Sequence, residues 1–198
     1  MPAVFIKSAT QLDQLPEGNK PHIAIVGRSN VGKSTLVNQL TKQTDLARVS
    51  AKPGHTQAMN IYEIDKRYYL VDLPGFGFAK TSKVQRADFQ DMIADYLRET
   101  EQLKMVILIV DASIPPTVLD EEMFGFLESL ELPITVVLNK IDKLKANDLK
   151  KLIPTMTPIF PNVTFVQHSS VLGKGRGELT DVIERALRHA TSSLPPQI

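Results

Sequence analysis

The chain has 198 residues, 42% of them hydrophobic and 23% charged, and its formal net charge is +1. This composition is typical of an ordinary globular protein, and the length suits one domain better than two. The near-zero charge excludes a global field that attracts polyanions, so any nucleic-acid contact requires a local basic patch. The absence of cysteine excludes disulfides. We find no signal-peptide pattern and no apolar run near the roughly 20 residues that cross a bilayer, and expect a cytoplasmic protein without membrane contact.

Apolar strands alternate with helices along most of the sequence. The pattern predicts strands at residues 22–26, 58–65, 67–72, 105–110, 134–138 and 163–167. It predicts helices at residues 33–40, 84–100, 118–130, 147–152 and 178–190. A tight turn at Asp65 and Lys66 joins the second and third strands. This alternation is typical of an α/β fold, with a mostly parallel sheet covered by helices on both faces. We expect one domain over 1–198, with a core from about 22 to 190, an N-terminal extension over 1–20 and a loose tail over 191–198.

The stretch GRSNVGKST follows the first predicted strand and opens the first helix. It consists of Gly27, Arg28, Ser29, Asn30, Val31, Gly32, Lys33, Ser34 and Thr35, with the spacing G-x-x-x-x-G-K-S. Its glycines let successive backbone N–H groups turn towards one anion, and the following helix adds its positive dipole end. Lys33 can then reach the β- and γ-phosphates, and the Ser34 hydroxyl can ligate Mg²⁺. A plain strand-to-helix turn is the simpler alternative, but the complete motif in this position favours a bound nucleotide.

A second motif selects the base. The sequence NKID, formed by Asn139, Lys140, Ile141 and Asp142, follows the strand at 134–138. Asp142 can accept two hydrogen bonds from N1 and N2 of guanine, which adenine does not offer. Asn139 can contact N7, and the stem of Lys140 can cover the ring plane. Asn and Asp are also common turn residues, so the position of NKID after a buried strand is what favours guanine.

Three further segments complete the predicted nucleotide site. The DLPG segment is formed by Asp72, Leu73, Pro74 and Gly75; Asp72 is suited to hold Mg²⁺ through water and the Gly75 N–H to sense a γ-phosphate, although Pro-Gly also makes a simple turn. A long polar loop contains Gly54, His55 and Thr56, and Thr56 can complete the Mg²⁺ shell. Near the last strand, a backbone N–H around Ser169, Ser170 and Val171 can bond to guanine O6. We interpret His168 as a strand-end residue.

The stretches GRSNVGKST, KPGHTQAMNIY, DLPGFGFAK, NKID and SSVLGKG together resemble the five guanine-nucleotide motifs of a Ras-like GTPase. More narrowly, they resemble the EngB family of bacterial ribosome-biogenesis GTPases, over about residues 22–190. The resemblance implies a three-layer Ras-like P-loop GTPase domain, with a mostly parallel six-stranded sheet and one antiparallel edge strand. It also implies GTP and GDP as ligands, Mg²⁺ as cofactor and a role in large ribosomal subunit assembly. Family members usually have tyrosine where Phe76 and Phe78 stand, and threonine where Asn139 stands.

Phe76 bears on the mechanism. It follows the DLPG glycine, where many Ras-like GTPases have a glutamine that orients the attacking water, and it has no polar atom for that task. Catalysis must then rest on Lys33, Gly75, Thr56 and Mg²⁺, helped by a monovalent cation or a partner, and we expect slow intrinsic hydrolysis. In potassium-activated GTPases that the chain resembles, an asparagine at the place of Asn30 offers its oxygen to the cation. A local bond from the Asn30 side chain to the backbone is the alternative.

The sequence contains only a weak indication of a surface that binds a partner, in the form of two basic clusters. One basic cluster, Lys80, Lys83 and Arg86, follows the DLPG segment, and a second, Lys143, Lys145, Lys150 and Lys151, follows NKID. Such runs are usually solvated faces, but the first is better placed to contact ribosomal RNA in a nucleotide-dependent way. The resemblance implies the large ribosomal subunit or its precursor as partner, and we expect a monomer. Two alternatives stay open: an ATP-using P-loop kinase, and a nucleotide-gated ribosome-binding or RNA-binding module with negligible hydrolysis.

Overall fold

The computed structural model describes residues 2–47, 58–77 and 83–192, without the side chains of 83–89 and 189–192. In these ranges the strands are β1 (Ala3–Ala9), β2 (His22–Gly27), β3 (Met59–Ile64), β4 (Tyr68–Asp72), β5 (Leu103–Asp111), β6 (Ile134–Asn139) and β7 (Thr164–Gln167). The α-helices are α1 (Lys33–Thr41), α2 (Lys83–Glu99), α3 (Val118–Glu128), α4 (Ala146–Met156) and α5 (Arg176–Ser192). Every predicted element is present, and the predicted α/β fold is confirmed. Helix α4 continues a turn beyond its predicted end and contains Pro154.

The sheet has the order β1-β3-β4-β2-β5-β6-β7. Strand β3 runs antiparallel to both of its neighbours, whereas the pairs β4–β2, β2–β5, β5–β6 and β6–β7 are parallel. The described residues therefore form seven strands rather than the predicted six, and the antiparallel strand β3 is the second strand from the edge. The additional strand β1 occupies the segment predicted to be an N-terminal extension. Most of its side chains are exposed, so its sequence has no hydrophobic alternation that would predict a strand. Hydrogen bonds between its backbone and β3 define it instead.

Apolar side chains cover both faces of the sheet and form two cores. On one face, α2, α3 and α4 contribute Tyr96, Phe124 and Met156. On the other face, α1 and α5 contribute Leu36 and Ile183. This gives three layers, with the largely apolar strands β2 and β5 buried in the middle. None of the described helices has both the length and the apolar character needed to cross a membrane.

The predicted turn between β3 and β4 is confirmed. Asp65 and Lys66 both adopt the left-handed conformation, with φ of 51° and 59°, as a two-residue hairpin requires. Next to the turn, Arg67 forms a bidentate ion pair with Glu184 of α5, with both N···O distances 2.9 Å. The ion pair links the hairpin to α5, and the parallel pairing of β4 with β2 places Asp72 opposite Ile25, near the end of β2.

His22 is the one histidine of β2, and it is buried at the start of the strand. Its ring stacks on Tyr96 and meets Tyr69 edge-on, and Nδ1 lies 3.1 Å from the Tyr96 hydroxyl. Burial, with a smaller contribution from Lys104, lowers the pKa of His22 from 6.5 to about 4. Between these values the unfolded chain binds a proton that the folded chain does not bind. This contribution to stability is therefore complete above pH 6.5 and is lost as the pH falls towards 4.

We expect the substitution His22→Phe to flatten the dependence of the free energy of unfolding on pH. The slope between pH 4.5 and 6 should decrease by up to about 1.4 kcal/mol per pH unit, the effect of one proton. Urea denaturation at a series of pH values measures it. His168 and the carboxyl groups titrate in both proteins, so the difference isolates His22. Parallel curves for the two proteins would contradict the prediction.

Candidate functional site

The loop between β2 and α1 depends on positions that exclude a side chain. Gly32, with φ of 108°, is the N-cap residue just before α1, and a Cβ there would lie 2.4 Å from Asn139 Nδ2. Asn30 is also left-handed, with φ of 64°, a conformation that asparagine adopts more readily than most residues. The N-terminus of α1 therefore opens onto this loop. Its unpaired N–H groups and positive dipole end provide an anion-binding position.

Lys33 brings a positive charge to the same loop. The residue is 8% exposed, and its Nζ donates to the carbonyl oxygens of Gly27 at 2.9 Å and Arg28 at 3.1 Å. Burial lowers the pKa of Lys33, and the charge of Asp72 partly opposes that shift. A cation surrounded by carbonyl dipoles in a buried position strongly favours an anionic ligand such as phosphate.

Asp72, at the end of β4, provides a carboxylate that is only 1% exposed. Ser34 Oγ donates to its Oδ2 at 3.3 Å, and its Oδ1 has no hydrogen-bond partner among the described residues. Burial raises the pKa of Asp72 to about 6, although Lys33 and Ser34 act in the opposite direction. A buried, unpaired carboxylate oxygen beside a serine hydroxyl is a donor set that suits a hard divalent cation. The residues present therefore fit Mg²⁺. Gly54, His55 and Thr56 lie outside the described residues.

The DLPG segment packs directly on the loop. The backbone N–H of Ser29 donates to the Phe76 carbonyl at 3.1 Å, and Ser29 Oγ donates to the Gly75 carbonyl at 3.4 Å. A Cβ on Gly75 would lie 2.8 Å from Lys33 Nζ and 2.9 Å from the backbone of Ser29. Only glycine allows this approach. The Phe76 ring belongs to the core on the α2 and α3 face, and so is anchored in apolar surroundings.

The NKID segment meets the loop from the other side. Asn139 Nδ2 donates to the Val31 carbonyl at 2.8 Å. Lys140 Nζ donates to the Asn30 carbonyl at 3.0 Å and pairs with Asp111 Oδ2 at 2.7 Å. The two motifs, which are distant in sequence, are thus joined at the carboxyl ends of β2, β5 and β6. The sequence did not predict the contact of Asp111 with Lys140. That prediction would have required knowing that β5 lies between β2 and β6.

The last predicted segment closes the site beside Asp142. Ser169 Oγ donates to Asp142 Oδ1 at 2.5 Å and accepts from the Leu172 N–H at 3.1 Å. Ser169 also exchanges two backbone hydrogen bonds with Lys174. Ser170 and Val171 are exposed at the tip of this loop. Asp142 therefore keeps one carboxylate oxygen for another partner, and the loop holds it in place.

Sequence reasoning also missed contacts made by His168 and by Arg28, although Arg28 itself was predicted as part of the loop. His168 is buried, and its Nδ1 lies 2.7 Å from Asn139 Oδ1. Arg28 Nη1 lies 3.8 Å from Asp120 Oδ2 at the start of α3. The position of His168 immediately before Ser169 was the available signal. The prediction that His168 lies at the end of a strand was correct, but it did not include the contacts of the ring with other parts of the site.

This arrangement is that of a P-loop GTPase. Lys33 and Ser34 follow the glycine loop, and the buried Asp72 and the NKID segment lie beside them at the carboxyl end of the sheet. Residues 22–140 match the family model described as "50S ribosome-binding GTPase". A probable GTP-binding protein EngB from Lactobacillus gasseri is 44% identical over 91% of this chain and 95% of its own length. A probable EngB from Prosthecochloris aestuarii is 39% identical over 92% and 95%. The chain belongs to the EngB family of GTP-binding proteins.

Solved structures agree with this assignment. The crystal structure of a probable GTP-binding protein engB has a TM-score of 0.71 and 28% identity, covering 85% of this chain and 99% of that one. Era, in complex with MgGDPNP and nucleotides 1506–1542 of 16S ribosomal RNA, has a TM-score of 0.70 and 28% identity, covering 86% and 57%. The predicted family and the predicted GTPase activity are confirmed, and the alternative of an ATP-using kinase is wrong.

The substitution Asp72→Asn should separate magnesium binding from folding. It removes a carboxylate that burial disfavours, so the free energy of unfolding without nucleotide should stay equal or rise. The charge that holds the metal is lost as well, so EDTA should no longer weaken GTP binding. In the unmodified chain we expect EDTA to weaken it by about tenfold or more.

Asp111→Asn is the matched control for this prediction, because it changes a carboxylate at the end of the neighbouring strand β5. It should weaken the contact with Lys140 and leave the effect of EDTA intact. Denaturant titrations and binding of a fluorescent GTP analogue, with and without EDTA, measure both quantities. A full EDTA effect in Asp72→Asn would contradict the assignment of Asp72.

Proposed function

We propose that this chain is a slow GTPase that acts as a nucleotide-dependent switch in the assembly of the large ribosomal subunit. The observation that carries this proposal is the packing of Gly75 and Phe76 on the P-loop at Ser29. A phosphate bound at Lys33 would lie against the backbone of the DLPG segment. The presence or absence of the γ-phosphate can therefore alter the position of the chain that follows.

Each part of the site has a role in this proposal. The loop from Gly27 to Thr35 surrounds the phosphates, where Lys33 and the Gly75 N–H stabilise charge on the γ-phosphate. Asn139 and Asp142 bind guanine, the stem of Lys140 covers its ring, and a backbone N–H of residues 169–171 bonds to O6. Ser34 and Thr56 hold Mg²⁺ directly, and Asp72 holds it through water. When bound, the metal withdraws charge from the phosphate oxygens.

The rate of hydrolysis follows from Phe76. Its ring is buried in the core and offers no hydrogen-bonding atom, so this position cannot orient a water molecule. The chain's own residues then supply charge stabilisation without positioning the nucleophile. We therefore infer slow turnover of the isolated protein, with acceleration by a partner or a monovalent cation. Turnover of many GTP molecules per second by the purified protein without either would contradict this inference.

Asn30 is the candidate residue for a monovalent cation. Its backbone is left-handed, and Lys140 Nζ donates a hydrogen bond to its carbonyl oxygen. Its exposed side chain makes no hydrogen bond within the described part of the chain. This supports a free side-chain oxygen beside the phosphates rather than a local bond that fixes the loop. A potassium ion there would supply positive charge near the bond that breaks.

GTP turnover should be faster in potassium than in sodium at equal ionic strength, and Asn30→Ala should remove the difference. The two ions differ in size, so a fitted site distinguishes them. Asn162→Ala is the matched control, because Asn162 is also left-handed, with φ of 56°, but lies before β7. That variant should retain the preference for potassium. Equal rates of the unmodified chain in both salts would exclude the cation site.

The proposed partner is the large ribosomal subunit or its precursor, contacted through ribosomal RNA. The description of the matching family supports the large subunit. The 16S ribosomal RNA bound to Era supports RNA contact by a similar GTPase, although that RNA belongs to the small subunit. With a net charge of +1, a local basic cluster must carry the contact. We assign it to Lys80, Lys83 and Arg86, whose side chains lie outside the described part, because they follow the DLPG segment directly.

Co-sedimentation with ribosomal subunits should depend on whether GTP, GDP or no nucleotide is present. Reversing Lys80, Lys83 and Arg86 to glutamate should reduce the slope of log affinity against log salt by about two to three, because each lost phosphate contact removes nearly one unit. Reversal of Lys145, Lys150 and Lys151, a cluster of equal charge on and before α4, is the matched control and should change it less. Unchanged binding of the first triple variant would contradict the RNA contact.

A further inference from the structure

His168 lies at the centre of a buried polar cluster that joins three parts of the nucleotide site. The residue follows β7 and is 1% exposed. Its Nδ1 lies 2.7 Å from Asn139 Oδ1 at the end of β6. Its Nε2 contacts the amide of Gln39 in α1, and that amide also reaches the Ser169 carbonyl at 3.4 Å. One imidazole ring therefore connects the helix after the P-loop to the NKID segment.

The partners of the ring define where its proton lies. The side-chain oxygen of Asn139 can only accept a hydrogen bond, so Nδ1 carries hydrogen and donates it. Burial lowers the pKa of His168 to about 4, although the charge of Asp142 opposes the shift. The ring is therefore neutral near pH 7, and Nε2 is an acceptor. In the structure, Gln39 Oε1 faces Nε2 and the Gln39 amide nitrogen faces the Ser169 carbonyl. Turning this amide end for end, which leaves its shape unchanged, gives Nε2 a donor and gives up the long 3.4 Å contact with Ser169.

The Val31 carbonyl, which can only accept a hydrogen bond, sets the orientation of the Asn139 amide, and the N–H of His168 then holds it there. Oδ1 accepts from His168, and Nδ2 donates one of its two hydrogens to the Val31 carbonyl. The reversed amide would place Oδ1 against the Val31 carbonyl and Nδ2 against the N–H of His168, which loses both hydrogen bonds. Gly32 leaves room for Nδ2, because a Cβ there would lie 2.4 Å away. The second hydrogen of Nδ2 remains for a ligand.

We propose that His168 is a positioning residue for guanine recognition, which acts by holding the Asn139 amide so that its nitrogen donates to N7 of the base. This inference rests on the proposed placement of guanine beside Asn139 and Asp142. Through Asn139, His168 supports recognition of the N7 edge of the purine. Asp142 recognises the N1 and N2 edge. The two edges are thus held by separate hydrogen bonds, since Asp142 is fixed by Ser169.

The test compares three nucleoside diphosphates that differ by one recognised group each. GDP carries both edges, 7-deaza-GDP lacks N7, and inosine diphosphate lacks the 2-amino group. The unmodified chain should bind GDP about three- to tenfold more tightly than 7-deaza-GDP, as expected for one net hydrogen bond. It should also prefer GDP to inosine diphosphate. Competition against a fluorescent GDP measures all three affinities.

Two kinds of variant separate positioning from packing. His168→Asn places an amide nitrogen near the position of Nδ1 and should retain the preference for GDP over 7-deaza-GDP. His168→Gln reaches the position of Nε2 instead, and His168→Phe has no donor, so both should lose that preference. All three should retain the preference for GDP over inosine diphosphate. A loss of folded protein affects every nucleotide equally and leaves these ratios unchanged.

The outcomes distinguish the inference from the function on which it rests. If the unmodified chain binds GDP and 7-deaza-GDP equally, the placement of the base at Asn139 is wrong, and the role of His168 fails with it. If the unmodified chain discriminates and His168→Gln and His168→Phe discriminate equally well, the placement stands and the role of His168 is overturned. Loss of N7 discrimination in these two variants, with retention in His168→Asn, supports the proposal.

Discussion

The buried ammonium group of Lys33 is the constraint on which the rest of the site depends. Its direct partners are the carbonyl oxygens of Gly27 and Arg28, and nearby Asp72 is buried with an oxygen unpaired. The pKa of Lys33 is lowered and that of Asp72 is raised, so burial disfavours both charges. Phosphate beside the first and a divalent cation beside the second remove both penalties. We therefore expect the nucleotide, bound with the proposed metal ion, to raise the free energy of unfolding.

Close approach of backbone segments then joins the separate motifs. Gly32 leaves space for the Asn139 amide, and Gly75 lies against Ser29 and Lys33. The segments that we propose bind base, phosphate and metal are consequently in direct contact, through the backbone of Ser29 and Phe76 and through the Asn139 amide on the Val31 carbonyl. In the proposed switch, a shift of the DLPG segment would reach the P-loop through the hydrogen bond from Ser29 to Phe76. Such direct contact is what a switch between two arrangements requires, because packed structures do not deform continuously.

Much of this could be predicted from the sequence because it follows from local rules. The spacing of Gly27, Gly32 and Lys33 reflects phosphate geometry, and the apolar run of β5 reflects burial on both faces. The contacts of His168 could not be predicted, because they depend on how β7, β6 and α1 meet in space. Strand β1 was missed for a related reason. Its side chains are largely exposed, so hydrogen bonds to β3, rather than a hydrophobic pattern, define it.

Strand β1 also has a consequence for how the chain is made. Ala9 pairs with Met59, so during synthesis β1 emerges well before the strand that binds it. Until β3 arrives, the apolar side chains of Val4, Phe5 and Ile6 belong to an unpaired segment, the kind of intermediate that associates with other chains. Once paired with β3, β1 forms the edge of the sheet, and no other strand of the described residues pairs with its outer side. The irregularity between Phe5 and Lys7 and the charge of Lys7 disfavour the addition of a further strand there. The residues that complete the sheet thus also limit its growth.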